Sequence, residues 1–228
     1  MMGDKLTMYK ILFPGGCQKN HLIMLTLFLI VSLLITCCKD NPTDTMPDDP
    51  IYGSYDPWET SNYVLPFPVG SNVYVIQGNC TPSYYRSWNS HQYGGIAAYG
   101  YDFLVPIGTI ITASRSGKVV EAVESHYDTD KTSGNYIIIE HNDSTYGIYY
   151  HLTLNGVLVN IGQYISQGDT IALSGNSGNS ETPHLHFQVN QRKEIGSLPP
   201  NSIPVTFRNT TPNPTGLKRD MYYKALAY

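Results

Sequence analysis

From about Tyr63 onward the sequence is a succession of short β-forming runs separated by Gly, Asn and Ser, and no segment shows a sustained helical period. The runs are Val73–Ile76, Ile110–Ala113, Gly117–Glu124, Asn135–Glu140, Thr145–Leu152, Thr170–Leu173 and His184–Val189. Asn142-Asp143-Ser144 is turn chemistry between two of them, so Asn135–Leu152 reads as a hairpin. Elements this short and this closely spaced predict a mostly β fold: a compact antiparallel β-sheet or β-sandwich-like core with long loops. The counts of 19 Tyr, 20 Gly and 15 Pro fit a loop-rich β domain. Charged residues are 14% of the chain, against about 25% in an ordinary soluble domain, which excludes a charge-driven disordered tail and a coiled coil. A net charge of −4 argues against nucleic acid as a partner.

The N-terminal region has a different character. Leu22 to Thr36 is uncharged and dominated by Leu and Ile, with Lys10 and Lys19 before it. This is the layout of an export signal, and the run is shorter than the roughly 20 residues of a spanning helix. A signal-anchor is the alternative. Leu34-Ile35-Thr36-Cys37-Cys38 resembles the end of a bacterial lipoprotein signal, which makes Cys38 or Cys37 the expected lipidation site and the membrane an expected partner. Plain secretion, with the cysteines removed, is the other reading. The expected organisation is a signal over 1–38, a Pro-rich acidic tether over 39–62, a folded domain over 63–210 and a tail over 211–228. The expected location is the cell envelope, periplasmic or on the cell surface. Cys80 is the one cysteine within the body, so no disulfide is expected there.

The histidines carry the chemistry. In His184-Leu185-His186-Phe187, residues two apart on a strand face the same side, so the imidazoles project together while Leu185 and Phe187 enter the core. Taken alone, such a pair is as compatible with a solvated surface as with a metal. His151 ends the hairpin strand, His91 lies in a Ser/Asn/Tyr/Gly loop, and Asp102 sits between Tyr101 and Phe103, where an isolated carboxylate is poorly solvated and wants a cation. Two His and a carboxylate plus water make a tetrahedral catalytic zinc site with an open position. His141 reads as structural, and His126 as an exposed loop residue.

The order His91, Asp102, His151, His184-x-His186 and its flanks resemble the lysostaphin/LytM-type zinc metallopeptidases, the β-lytic or peptidoglycan DD-metalloendopeptidase family with the duplicated hybrid motif fold. The flanks are Tyr101-Asp102-Phe103-Leu104-Val105-Pro106-Ile107-Gly108-Thr109, Gly134-Asn135-Tyr136 through His151-Leu152, and Gly168 to Gly178 followed by Pro183 to Phe187. The resemblance covers roughly residues 70–208. It implies one zinc ion per chain held by His91, Asp102 and His186. It implies catalytic roles for His184 and His151, one taking a proton from the attacking water and the other serving the oxyanion or the leaving amine. Gln92 to Tyr101 separate His91 from Asp102, a longer interval than in the common first motif. The implied activity is hydrolysis of peptide cross-links in bacterial peptidoglycan. The alternatives are an inactive family member that binds the wall and regulates other hydrolases, and a structural or glycan-binding lipoprotein. The aromatic cluster Tyr84, Tyr85, Trp88, Tyr93 and Tyr99 is a candidate groove lining.

Overall fold

The computed structural model describes residues 54–79, 91, 96–193 and 201–228. Cys37, Cys38, Cys80, Tyr84, Tyr85, Trp88 and Tyr93 lie outside the described residues. Among the described residues ten strands follow in chain order: β1 Asn72–Gln77, β2 Tyr101–Leu104, β3 Ile110–Thr112, β4 Gly117–Val123, β5 Asn135–Glu140, β6 Tyr146–Val157, β7 Tyr164–Ile165, β8 Thr170–Ser174, β9 His184–Asn190 and β10 Met221–Lys224. The helical content of the described residues is a single 3₁₀ turn, Trp58–Thr60. The fold is mostly β, as the run lengths predicted.

All strand pairs are antiparallel and belong to one hydrogen-bonded sheet, with order β10-β1-β2-β9-β6-β5-β4-β7. β6 is the branch point. Its first half pairs with β5 and β9, and its second half pairs with β8, which in turn pairs with β3.

Period-2 alternation gives the centre of the sheet one apolar and one polar face. Tyr101, Phe103, Tyr149, Leu185 and Phe187 are fully buried on the core side, with Phe207 packed against Tyr101 and Phe187. The polar ends of the core tyrosines are satisfied: Tyr101 Oη donates to the Val205 carbonyl at 2.9 Å, and Tyr149 Oη accepts from the Ser114 amide at 2.8 Å. The opposite face carries a cross-strand row, Gln77–Asp102–His186–Tyr150–Tyr136, running through β1, β2, β9, β6 and β5.

Two terminal stretches contribute more than their composition suggests. Residues 54–62 fall within the expected tether, yet the Ser61 hydroxyl donates to the Thr206 carbonyl at 2.5 Å, and Tyr55 packs edge-on against Tyr99. The expected tail supplies β10, which pairs with β1 from Asn72↔Lys224 to Val75↔Met221. Tyr223 and Ala225 are buried there, which explains why polar chain with few apolar residues still holds an edge of the sheet.

Candidate metal centre

Register brings the first two site residues together. β2 and β9 pair so that Asp102 lies directly opposite His186 and Leu104 opposite His184. Asp102, His184 and His186 therefore share the polar face, while Phe103, Leu185 and Phe187 take the core. His91 joins them from before β2 despite the long interval. It is 1% exposed, and its Nε2 stands 3.5 Å from Asp102 Oδ1 and 3.2 Å from His186 Nδ1. His186 Nδ1 lies 2.8 Å from Asp102 Oδ1. His184 Nε2 is 3.6 Å from the same oxygen.

His151 reaches the cluster by a different device. Asn135 pairs with Leu152 and Tyr136 with Tyr150, so His151 is an extra residue on β6, a β-bulge, with φ of +63°. Strict alternation would send residue 151 to the side of Tyr149, into the core. The bulge leaves both Tyr150 and His151 on the site face. The His151 ring lies 4.5 Å from that of His184 and 6.1 Å from that of His186, centre to centre. Left-handed backbone at a non-glycine residue costs about 1–2 kcal/mol, and such strain concentrates at functional sites.

The outward nitrogens of the four imidazoles are all tied down. His91 Nδ1–H donates to the Gly100 carbonyl at 3.0 Å, His151 Nδ1–H to the Ser177 carbonyl at 2.7 Å, and His184 Nδ1–H to the Thr182 carbonyl at 2.8 Å. His186 is turned the other way, its Nε2–H donating to Gln188 Oε1 at 2.8 Å. Each ring then directs its remaining lone pair inward. Three acceptors, His91 Nε2, His186 Nδ1 and Asp102 Oδ1, converge with no proton of their own to share. A cation resolves that conflict.

The spacing fits zinc. Donors about 2.0–2.1 Å from a tetrahedral zinc stand about 3.3 Å from one another; the three here stand 2.8, 3.2 and 3.5 Å apart. These same three residues form a group able to hold a metal ion among the described residues.

The local electrostatics agree. Burial on its own would raise the Asp102 carboxyl. The neighbouring His91 and His184 outweigh it and hold the group well below the usual carboxylate range. His151 is pushed down to about 3 by burial first and by the nearby His184 and His186 next, so at neutral pH it is uncharged with a free lone pair.

A second layer holds the ring anchors in place. The Ser177 hydroxyl donates to the Leu152 carbonyl at 2.6 Å and accepts from the Asn135 amide at 2.9 Å, stitching the 175–182 loop to the bulge. Asp128 grips the same loop, its Oδ1 accepting from the Asn176 amide and its Oδ2 from the Thr153 hydroxyl, both at 2.7 Å. Gly100 is required because a Cβ there would stand 2.9 Å from Cε1 of both His91 and His186.

Sequence reasoning missed Gln188, Ser177, Asn135 and Gly100. The signal for Gln188 was present, since His184, His186, Gln188 and Asn190 alternate on one face of β9. Tyr99 was expected to line a groove and is instead buried at 3% exposure. His126, expected to be exposed, is half-buried with Nδ1 3.2 Å from Asp130 Oδ2. His141 is buried, Nδ1–H donating to the Ser116 carbonyl at 2.9 Å, away from the cluster. A groove of about 930 Å³ lined by Arg115, Lys118, Tyr164 and Arg208 lies by the Glu140–Tyr146 end of the β5–β6 hairpin, opposite the end that holds His151.

Part of the chain is similar to known proteins. Residues 97–197 match the model for peptidase family M23. Lysostaphin of Staphylococcus staphylolyticus is 43% identical over 95 residues, 42% of this chain and 18% of that protein. The peptidoglycan DD-endopeptidase ShyA of Vibrio cholerae is 40% identical over 90 residues, 40% of this chain and 19% of that protein. The solved catalytic domain of lysostaphin from Staphylococcus simulans is 31% identical, covering 58% of this chain and 88% of that one, with a TM-score of 0.42. The matched region thus spans less than a quarter of either curated relative.

Proposed function

From the match of residues 97–197 to the model for peptidase family M23, we propose that this chain is a zinc-dependent endopeptidase that hydrolyses peptide cross-links of bacterial peptidoglycan. The observation that carries the reading is the convergence of four imidazole lone pairs and one carboxylate, each imidazole held from behind. His91 Nε2, Asp102 Oδ1 and His186 Nδ1 would hold the ion. A zinc ion there would supply Lewis acidity, polarising a peptide carbonyl and making water a nucleophile near neutral pH.

The protein's own groups do the proton chemistry. His151 and His184 are each anchored through Nδ1–H, so each offers Nε2 to the reacting atoms. One takes the proton of the attacking water. The other, once protonated, hydrogen-bonds the oxyanion or delivers a proton to the departing amine. Their rings are close enough, at 4.5 Å between centres, to serve the two sides of one scissile bond. The chain needs no Ser or Cys nucleophile for this and forms no acyl-enzyme. An inactive wall-binding protein has no use for a complete donor set, and here all five positions are filled and face one another.

The substrate class comes from relatives, two of which are named lysostaphin and peptidoglycan DD-endopeptidase. We place the chain in the cell envelope on its N-terminal sequence, with lipid on Cys38 or Cys37 as the membrane tether. Fatty-acid labelling of Cys37→Ser and Cys38→Ser variants tests the tether. Dye release from labelled peptidoglycan tests the activity. Release that stops with a chelator and returns with zinc supports the proposal, and release unaffected by chelation refutes it.

A further inference from the structure

We propose that Gln188, backed by Asn190, is a positioning residue that selects which nitrogen of His186 is offered to the metal; this rests on the metal-centre reading above. An imidazole can ligate through either nitrogen, and the choice is set by the hydrogen bond the other nitrogen makes. His186 Nδ1 faces Asp102 Oδ1 and His91 Nε2, so a lone pair there requires the proton on Nε2. That proton sits against Gln188 Oε1 at 2.8 Å.

An amide can present either its oxygen or its NH₂. The wrong orientation at Gln188 would set N–H against N–H. Asn190 opposes that flip, because its Oδ1 accepts from Gln188 Nε2 at 2.6 Å. Gln188 is 6% exposed and Asn190 is fully buried, so a flipped amide would leave mismatched groups with little access to water. Strand periodicity builds the relay, since residues 184, 186, 188 and 190 share one face of β9.

The contrast with the other rings sharpens the assignment. His91, His151 and His184 are anchored on backbone carbonyls, which no single substitution removes. His186 is anchored on a side chain. Without that acceptor, the carboxylate of Asp102 becomes the nearest alternative, 2.8 Å from Nδ1. The proton then moves to the nitrogen that should bind the metal.

The test uses the full chain with Gln188→Met, near in volume but without the amide oxygen, and Gln188→Glu, which keeps an acceptor. Zinc affinity is read by competition with a chromophoric chelator. The His186 tautomer is read by ¹⁵N NMR of the metal-free protein. The expected result is a 10- to 100-fold loss of zinc affinity in Gln188→Met, the range typical of lost outer partners. The ring proton should shift toward Nδ1 in that variant, and Gln188→Glu should bind at least as tightly as the wild type. Unchanged affinity in Gln188→Met, a loss of affinity with no change of tautomer, or a Gln188→Glu variant as weak as Gln188→Met would each overturn the proposal. A wild-type chain that takes up no zinc would overturn the metal-centre reading and this one with it.

Discussion

Adding a single methyl group at residue 100 should disable the metal centre while leaving the fold in place. The Gly100 amide donates to the Ala97 carbonyl at 2.8 Å, and its own carbonyl anchors His91. Gly100 is not among the residues with positive φ, so alanine fits the backbone. The difficulty is steric. The new Cβ would stand 2.9 Å from Cε1 of both His91 and His186, about half an ångström short of ordinary contact. Both rings are pinned on their far sides, His91 by Gly100 and His186 by Gln188. Relief must therefore come from moving the inward nitrogens. Metal–ligand distances tolerate only about ±0.2 Å. Gly100→Ala should lose at least about tenfold in zinc affinity, or about 1.4 kcal/mol. Overpacking should cost the metal-free fold about 1–3 kcal/mol. Chelator competition measures the first quantity and urea unfolding the second. Wild-type zinc affinity in a folded Gly100→Ala protein would refute the close-approach argument.

Three further outcomes follow from the same geometry. His184→Ala should abolish turnover while retaining about one zinc per chain, whereas His186→Ala should lose both; metal analysis beside peptidoglycan dye release separates them, and full activity in His186→Ala would rule out the ligand assignment. Ser177→Ala strands the buried Asn135 amide and loosens the anchor of His151, so it should cost about 1–3 kcal/mol in urea unfolding and lower turnover more than zinc affinity. His141 is pushed from 6.5 down to about 4, chiefly by burial, so the unfolded chain binds its proton at a pH where the folded chain does not. Its contribution to stability is present above about pH 6.5 and is lost as pH falls toward 4, by up to about 3 kcal/mol. His141→Gln should flatten the stability–pH curve across that window, and an unaltered curve would show that burial of His141 does not set it.

Much of the sheet was legible because alternation is a strong signal when one face is buried. Asn135–Glu140 was read with its observed limits, and Ile110, Gly117, Thr170 and His184 each begin a strand where the sequence placed one. β2, β7 and β10 were not among the predicted runs; β2 is four residues long, with the polar Asp102 set between Tyr101 and Phe103. β7 has two residues, and in β10 Tyr223 is the one buried residue, so neither shows a pattern of its own. Asp102 and the His184–His186 pair were recognisable from residue type and spacing. Their pairing across β2 and β9 was not, because register depends on partners distant in sequence. His151 was the hardest to weigh. Its place in the site depends on a one-residue bulge, and nothing in Tyr149-Tyr150-His151-Leu152 announces a positive φ. The outer partners escaped for a related reason: backbone carbonyls at Gly100, Ser177 and Thr182 have no residue-type signature.

The most direct test of the metal centre is a crystal structure of the zinc-loaded protein with anomalous data at the zinc edge. One ion bound by His91 Nε2, Asp102 Oδ1 and His186 Nδ1, with His151 and His184 beside the open position, is the predicted result. An ion bound elsewhere, or His186 ligating through Nε2, would contradict it.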